Sequence, residues 1–220
     1  MWVAAGTSFA LGVFITAAAS RRRWQDARVW SAFAAGGLVF LGVQFGARPV
    51  GALAGQLSGG GDLPAWAVVA VVAVFAEVFK LTAALVLHQV YRLPPADGAR
   101  LGAAVGAGFG AWSEAVVLRA AQQVAQLGLP GGVSWASVVV ASAARLLAGA
   151  GSTGIASRLA AHGRPWAGLA AACGAQLLLD PVLRMAVRQP GWVLLCTALL
   201  GGGLFAALWV PERGGRMRCR

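Results

Sequence analysis

Acidic residues are scarce in this chain, with seven Asp and Glu against 18 Lys and Arg in 220 residues. Histidine is rarer still. Only His88 and His162 occur, with no HExxH or other paired-histidine spacing, which disfavours a zinc centre of the usual kind. Cysteine is equally thin: Cys173 and Cys196 fall in apolar runs and Cys219 in the C-terminal tail, a distribution that excludes a disulfide framework and a CxxC metal pattern. No polar interval is long enough for an independent soluble fold, no internal repeat is visible, and no GxSxG nucleophile elbow occurs. The segment GAGFGAW lies inside an apolar run and does not open a soluble strand-helix unit. Basic residues are missing ahead of the first apolar run and follow it instead, the reverse of a secretory signal, so that run is expected to be retained as a helix.

What the chain has in excess is apolar surface. Hydrophobic residues make up 59%, charged residues only 11%, and mean hydropathy is +0.72, values that an ordinary soluble domain of this length does not tolerate. A helix needs roughly 20 mostly apolar residues to cross a ~30 Å hydrocarbon core. Runs of that kind fall at about 2–19, 29–47, 65–90, 101–126, 134–160, 165–187 and 191–210. The fold class expected is therefore all-α, a polytopic transmembrane helix bundle of about seven spanning helices. It forms a single integral membrane domain over residues 1–220, of which 211–220 are a short basic tail.

Arginines alternate along these runs. Arg21, Arg22, Arg23, Arg28, Arg92, Arg100, Arg158, Arg164 and the tail arginines fall on one side, and little beyond Arg48 and Arg188 falls on the other. By the positive-inside rule this places the protein in the cell membrane with its N-terminus outside and its C-terminus cytoplasmic. The net charge of +11 is accounted for by orientation and by attraction to anionic headgroups; the lipid bilayer is the partner expected, and no nucleic acid. The 31 glycines, in runs such as GAAVGAGFGA, read as close helix packing.

Three carboxylates, Glu77, Glu114 and Asp180, lie deep within predicted spans, where an ionisable group is costly unless paired, hydrated or protonated. Glu77 and Lys80 are three apart and share a helix face. Glu114 has no well-spaced base on its own helix, and Arg145, near the middle of the fifth span, is the candidate partner. Asp180 stands one turn from both Gln176 and Arg184, beside Pro181. Each pair has a structural reading as an ion pair that fixes packing. Glu77, Glu114, Arg145 and Gln176 would also lie at similar depth on four helices, and two facing carboxylates could hold a water and act as general base and acid.

The order of these motifs resembles the PrsW and YhfC families of intramembrane proteases, relatives of the CAAX-protease-like membrane peptidases. AEVFK in one helix, GAGFGAWSE in the next, an Arg in a Gly-rich later helix and QLLLD near the end carry the resemblance, which covers about residues 23–183. This chain is a divergent member by that reading: Ala76 replaces the first Glu of an EExxK pattern, Arg145 lies in a segment where a histidine is expected, and Gln176 stands where another would fall. The resemblance implies hydrolysis of a membrane-embedded peptide, with Glu77 as base, Glu114 as acid or water-positioning group, and Arg145 or Gln176 as oxyanion donors. Some family members have been regarded as metal-dependent, and the sequence assigns no cofactor. Loss of activity would leave a non-enzymatic membrane scaffold. A small transporter or proton-linked carrier, with Glu77, Lys80, Glu114, Arg145 and Asp180 as relay, is the alternative from another class.

Overall fold

The computed structural model describes residues 2–20, 25–57, 65–126, 135–186, 199–203 and 205–207. Six long helices follow one another: α1 (Trp2–Ser20), α2 (Ala27–Leu57), α3 (Ala65–Val90), α4 (Gly98–Gln126), α5 (Trp135–Ala161) and α6 (Pro165–Ala186). A 3-10 turn, Pro95–Asp97, precedes α4, and residues 199–203 and 205–207 are helical. No strand occurs among the described residues. An all-helical chain is what a bilayer demands, since only hydrogen bonding within a helix or a closed barrel satisfies every backbone polar group in hydrocarbon.

Among the described residues, four segments are long and apolar enough to cross a membrane, namely Ala27–Gly46, Ala70–Val90, Pro95–Ala120 and Val138–Ala161, and Gly6–Ser20 is a shorter apolar helix. Most of the predicted run at 191–210 lies outside the described residues. The second helix differs from expectation: it continues to Leu57, beyond the predicted end near residue 47, and passes through Pro49. A proline removes one backbone donor and leaves the rest of the ladder intact, and Val50–Leu57 is still an apolar stretch whose amides have nowhere better to bond.

Helix α4 is the axle of the bundle, packing against α1, α2, α3 and α5. The crossing segments of α4 and α5 are each 61% buried, against 33% for α2 and 28% for α3, so the first two are inner helices and the other two present wide faces to lipid. What qualifies α4 for the centre is its lack of bulk. Leu101, Ala103, Ala104, Val105, Ala107 and Ala111 are all essentially inaccessible, and the glycines among them let neighbouring backbones close in.

One end of the bundle gathers the arginines. Asp26 caps α2 by accepting the Arg28 amide at 3.0 Å, Tyr91 Oη pairs with Ser31 Oγ at 2.7 Å across α2 and α3, and Arg100 Nη1 donates to Asp97 Oδ1 at 2.6 Å. Helices α3 and α5 both end there in paired 6→1 and 5→2 turns. Leu93 N donates to His88 O at 3.1 Å and Arg92 N to Gln89 O at 3.0 Å, while Arg164 N donates to Leu159 O at 2.9 Å and Gly163 N to Ala160 O at 3.0 Å. The residue at the left-handed position is Gly163 (φ 80°) in α5, but Arg92 (φ 49°) in α3, where a side chain carries a steric cost. Arg92→Gly is expected to raise unfolding stability by up to about 1 kcal/mol, whereas Arg92→Ala leaves it unchanged. Thermal unfolding of the two variants in one detergent checks this.

Candidate functional site

Among the described residues, the charged side chains inside the bundle form two ion pairs. On α3, Lys80 Nζ donates to Glu77 Oε1 one helical turn away, with the two side chains 2% and 1% exposed. The ammonium also lies over the Phe109 ring of α4, 4.9 Å from its centroid, and that ring meets Phe40 of α2 edge-on at 5.6 Å. The second pair joins helices: Arg145 Nη1 of α5 donates to Glu114 Oε1 of α4 at 3.2 Å. Glu114 is buried and Arg145 is 23% exposed, so the guanidinium is the more accessible member.

Lys80, Glu114, Arg145 and Gln176 converge on one cavity of about 370 Å3, together with Gln44 and Ser113. Counting inward from the arginine-rich end at 1.5 Å per residue, these groups sit at roughly 15 to 24 Å, within the depth of the hydrocarbon core. Gly106, Gly110 and Gly149 also line it, and they bring α4 and α5 together: a Cβ on Gly106 would run into the Gly149 carbonyl and one on Gly110 would lie 2.7 Å from the Leu146 side chain. At ~30 Å3 per water the volume would hold about ten molecules or a short stretch of peptide.

Glu77 does not line this cavity. It stands behind Lys80, and its Oε2 atom is buried with no hydrogen-bond partner among the described residues. The expected face-to-face arrangement of two carboxylates is therefore replaced by one carboxylate on the cavity and one beneath a lysine. Helix α3 is apolar on almost every side, so residue spacing places Glu77 and Lys80 together without deciding which of them meets the cavity; packing against Phe109 decides it. Asp180 lies on α6 one turn beyond Gln176, and its side chain, like that of Arg184, falls outside the described residues. His88 Nε2 lies 3.1 Å from Pro94 O at the end of α3, and His162 Nδ1 lies 2.8 Å from Arg158 O at the end of α5, both remote in sequence from the cavity residues. Among the described residues no three His, Cys, Asp or Glu side chains group closely enough to hold a metal ion.

Sequence reasoning passed over Phe109, Gln44 and Ser113. A signal was present for the amide, because Gln44 is a polar side chain inside the apolar run LVFLGVQF. Phe109 and Ser113 lie within the GAGFGAWSE stretch, which drew attention to Glu114 and assigned neither of them a role.

The formal charges of the four ionic groups, two cationic and two anionic, sum to zero. Three of them, Lys80, Arg145 and Glu114, line the cavity, whose wall therefore offers donors on Lys80, Arg145 and Gln176 and an acceptor on Glu114. Comparison of the chain with family models, with curated proteins and with solved structures gives no match.

Proposed function

We propose that the cavity is a peptidase-like site for membrane-embedded substrates, in a seven-span protein whose N-terminus is outside and whose C-terminus is cytoplasmic. The observation that carries this reading is the meeting of Glu114, Arg145, Lys80 and Gln176 at one cavity at bilayer depth. Glu114, and not Glu77, is the carboxylate placed to act. A water in the cavity gives a proton to Glu114 as its oxygen attacks the peptide carbonyl carbon. Arg145 and Gln176 donate to the oxyanion, and Glu114 returns the proton to the departing amine as the C–N bond breaks. Lys80, held in place by Glu77 and Phe109, orients the carbonyl. The motif order resembles that of the PrsW and YhfC families, which implies hydrolysis as well, although with Glu77 as the base.

The test is cleavage of single-span peptides of varied sequence, co-reconstituted with the protein in liposomes and followed by mass spectrometry. Glu114→Gln is expected to lower the rate by about 10²-fold or more, the usual scale for a general base. Glu77→Gln should retain a measurable rate. Equal cleavage by wild type and Glu114→Gln sinks the assignment. The engagement of each carboxylate by its own cation favours a second reading, a non-enzymatic protein that holds a peptide without cutting it. Peptide that crosslinks to the cavity of the wild type and stays intact would establish that reading in place of hydrolysis. A carrier would need charged groups along a path between both surfaces; the described ones gather mainly at the cavity and at the arginine-rich end, with Arg119 beyond the cavity on α4.

A further inference from the structure

Helices α2 and α4 touch through bare backbone at Gly36 and Gly108, and helices that cross at one close point draw apart on either side of it. The two sides are filled differently. Toward the arginine-rich end, Val29 and Ala32 of α2, Ala84 of α3 and Leu101, Ala104 and Val105 of α4 form one cluster, each 2% exposed or less. Leu81 of α3 packs with Ala156 of α5 and Ala172 of α6. Toward the other end the gap is the cavity that holds Glu114 and Arg145. There α2 and α3 stay together, since a Cβ on Gly46 would lie 3.0 Å from the Phe75 ring, and α4 and α5 stay together through Leu118 and Val138. The opening therefore lies between one pair of helices and the other.

The cavity is graded along this wedge. Its floor holds Gly106 and Lys80, both buried, at roughly 12 to 15 Å from the arginine-rich end of their helices. Its rim is Gln44, which is exposed, with Val72 and Val117, which are half-buried, at roughly 26 to 29 Å and so near the far edge of a ~30 Å core. A cavity with a floor takes its ligand from one side. A spanning helix about 10 Å across and 30 Å long occupies roughly 2,000 Å3 or more, several times the 370 Å3 available here. Only a short stretch of chain can reach Glu114, and unwinding frees backbone groups that Gln44, Ser113 and Gln176 on the walls can engage.

Resting on the peptide reading above, we propose that the cavity is a blind wedge, entered from the end of the bundle opposite the arginines between the α2–α3 and α4–α5 pairs, and that its occupant is an unwound stretch of a membrane-anchored peptide. Ser113→Cys, in a background of Cys173→Ser, Cys196→Ser and Cys219→Ser, is probed with a membrane-impermeant sulfonate thiol reagent in right-side-out and in inverted membrane vesicles. Arg164→Cys, exposed at the arginine-rich end, marks that face, and Ser152→Cys, at a position 3% exposed, reports on the packed side of the floor. Ser113→Cys is expected to be labelled only in the vesicles that leave Arg164→Cys unlabelled, and Ser152→Cys in neither. Gln44→Cys at the rim gives the same reading if Ser113→Cys folds poorly. Labelling of the cavity position from the arginine face, from both faces or from neither overturns the wedge, as does labelling of Ser152→Cys. A single-span peptide with a Gly-Pro pair near the end opposite the arginines should protect Ser113→Cys, whereas an uninterrupted leucine span should not. Equal protection by both overturns the unwound occupant. Protection by neither, with one-sided labelling intact, overturns the peptide reading itself and leaves the wedge standing.

Discussion

Lys80→Met is expected to destabilise the folded protein by about 3 to 5 kcal/mol, the cost of leaving a buried charge without its partner. Glu77 is 1% exposed, its Oε1 accepts from Lys80, and its Oε2 has no other hydrogen-bond partner among the described residues. With the ammonium removed, the carboxylate stays buried without its cation, and it does not line the cavity. The reverse change is milder. In Glu77→Gln the lysine keeps its place over Phe109 and reaches the polar cavity, so a loss of about 1 to 3 kcal/mol is expected, the range for an unpaired buried polar group. Glu77→Gln/Lys80→Met removes both charges and should recover most of the loss, because a buried ion pair and an uncharged replacement of similar volume differ little. Chemical unfolding of wild type, both single variants and the double variant in one detergent gives the coupling energy directly. Equal losses in the two single variants would contradict the placement of Lys80 between Glu77 and the cavity.

Gly108→Ala should be as damaging, by about 3 kcal/mol or more, although it adds a single methyl group. Helices α2 and α4 meet backbone to backbone at Gly36 and Gly108. A Cβ on Gly108 would fall within the Phe33 carbonyl and 3.1 Å from the Phe33 Cα, and one on Gly36 would reach 2.7 Å from the Phe109 amide nitrogen. Overpacking against a side chain is relieved by a rotamer change; against a carbonyl it is relieved only by moving a helix. Separation of α2 from α4 would also pull Phe40 from Phe109 and open the cavity wall they form. Gly42→Ala, two turns along α2 with nothing within 4 Å of its added methyl, is the control. It should leave stability unchanged or raise it by about 1 kcal/mol through helix propensity. Matching losses at residues 42 and 108 would refute the close approach.

Residue chemistry and spacing by themselves determined a good deal of this protein. Composition and run length decided that it is helical and apolar enough for a membrane, because in hydrocarbon the backbone has almost no alternative. The three-residue interval between Glu77 and Lys80 determined their pairing, because 3.6 residues per turn puts them on one face whatever surrounds the helix. The lack of a well-spaced base on α4 pointed Glu114 to Arg145, since a carboxylate at that depth requires a cation and Arg145 lies near the middle of the next span. Tertiary structure decided the rest. It chose which member of the Glu77–Lys80 pair meets the cavity, which glycines mark a helix contact and which merely open space, and that α2 runs on through Pro49. These depend on how each helix is rotated about its own axis. A soluble helix declares its rotation through a polar face, but α1 to α5 are apolar nearly all round, and their orientation is set by close packing of alanine, glycine and phenylalanine surfaces that exist only after the helices have met.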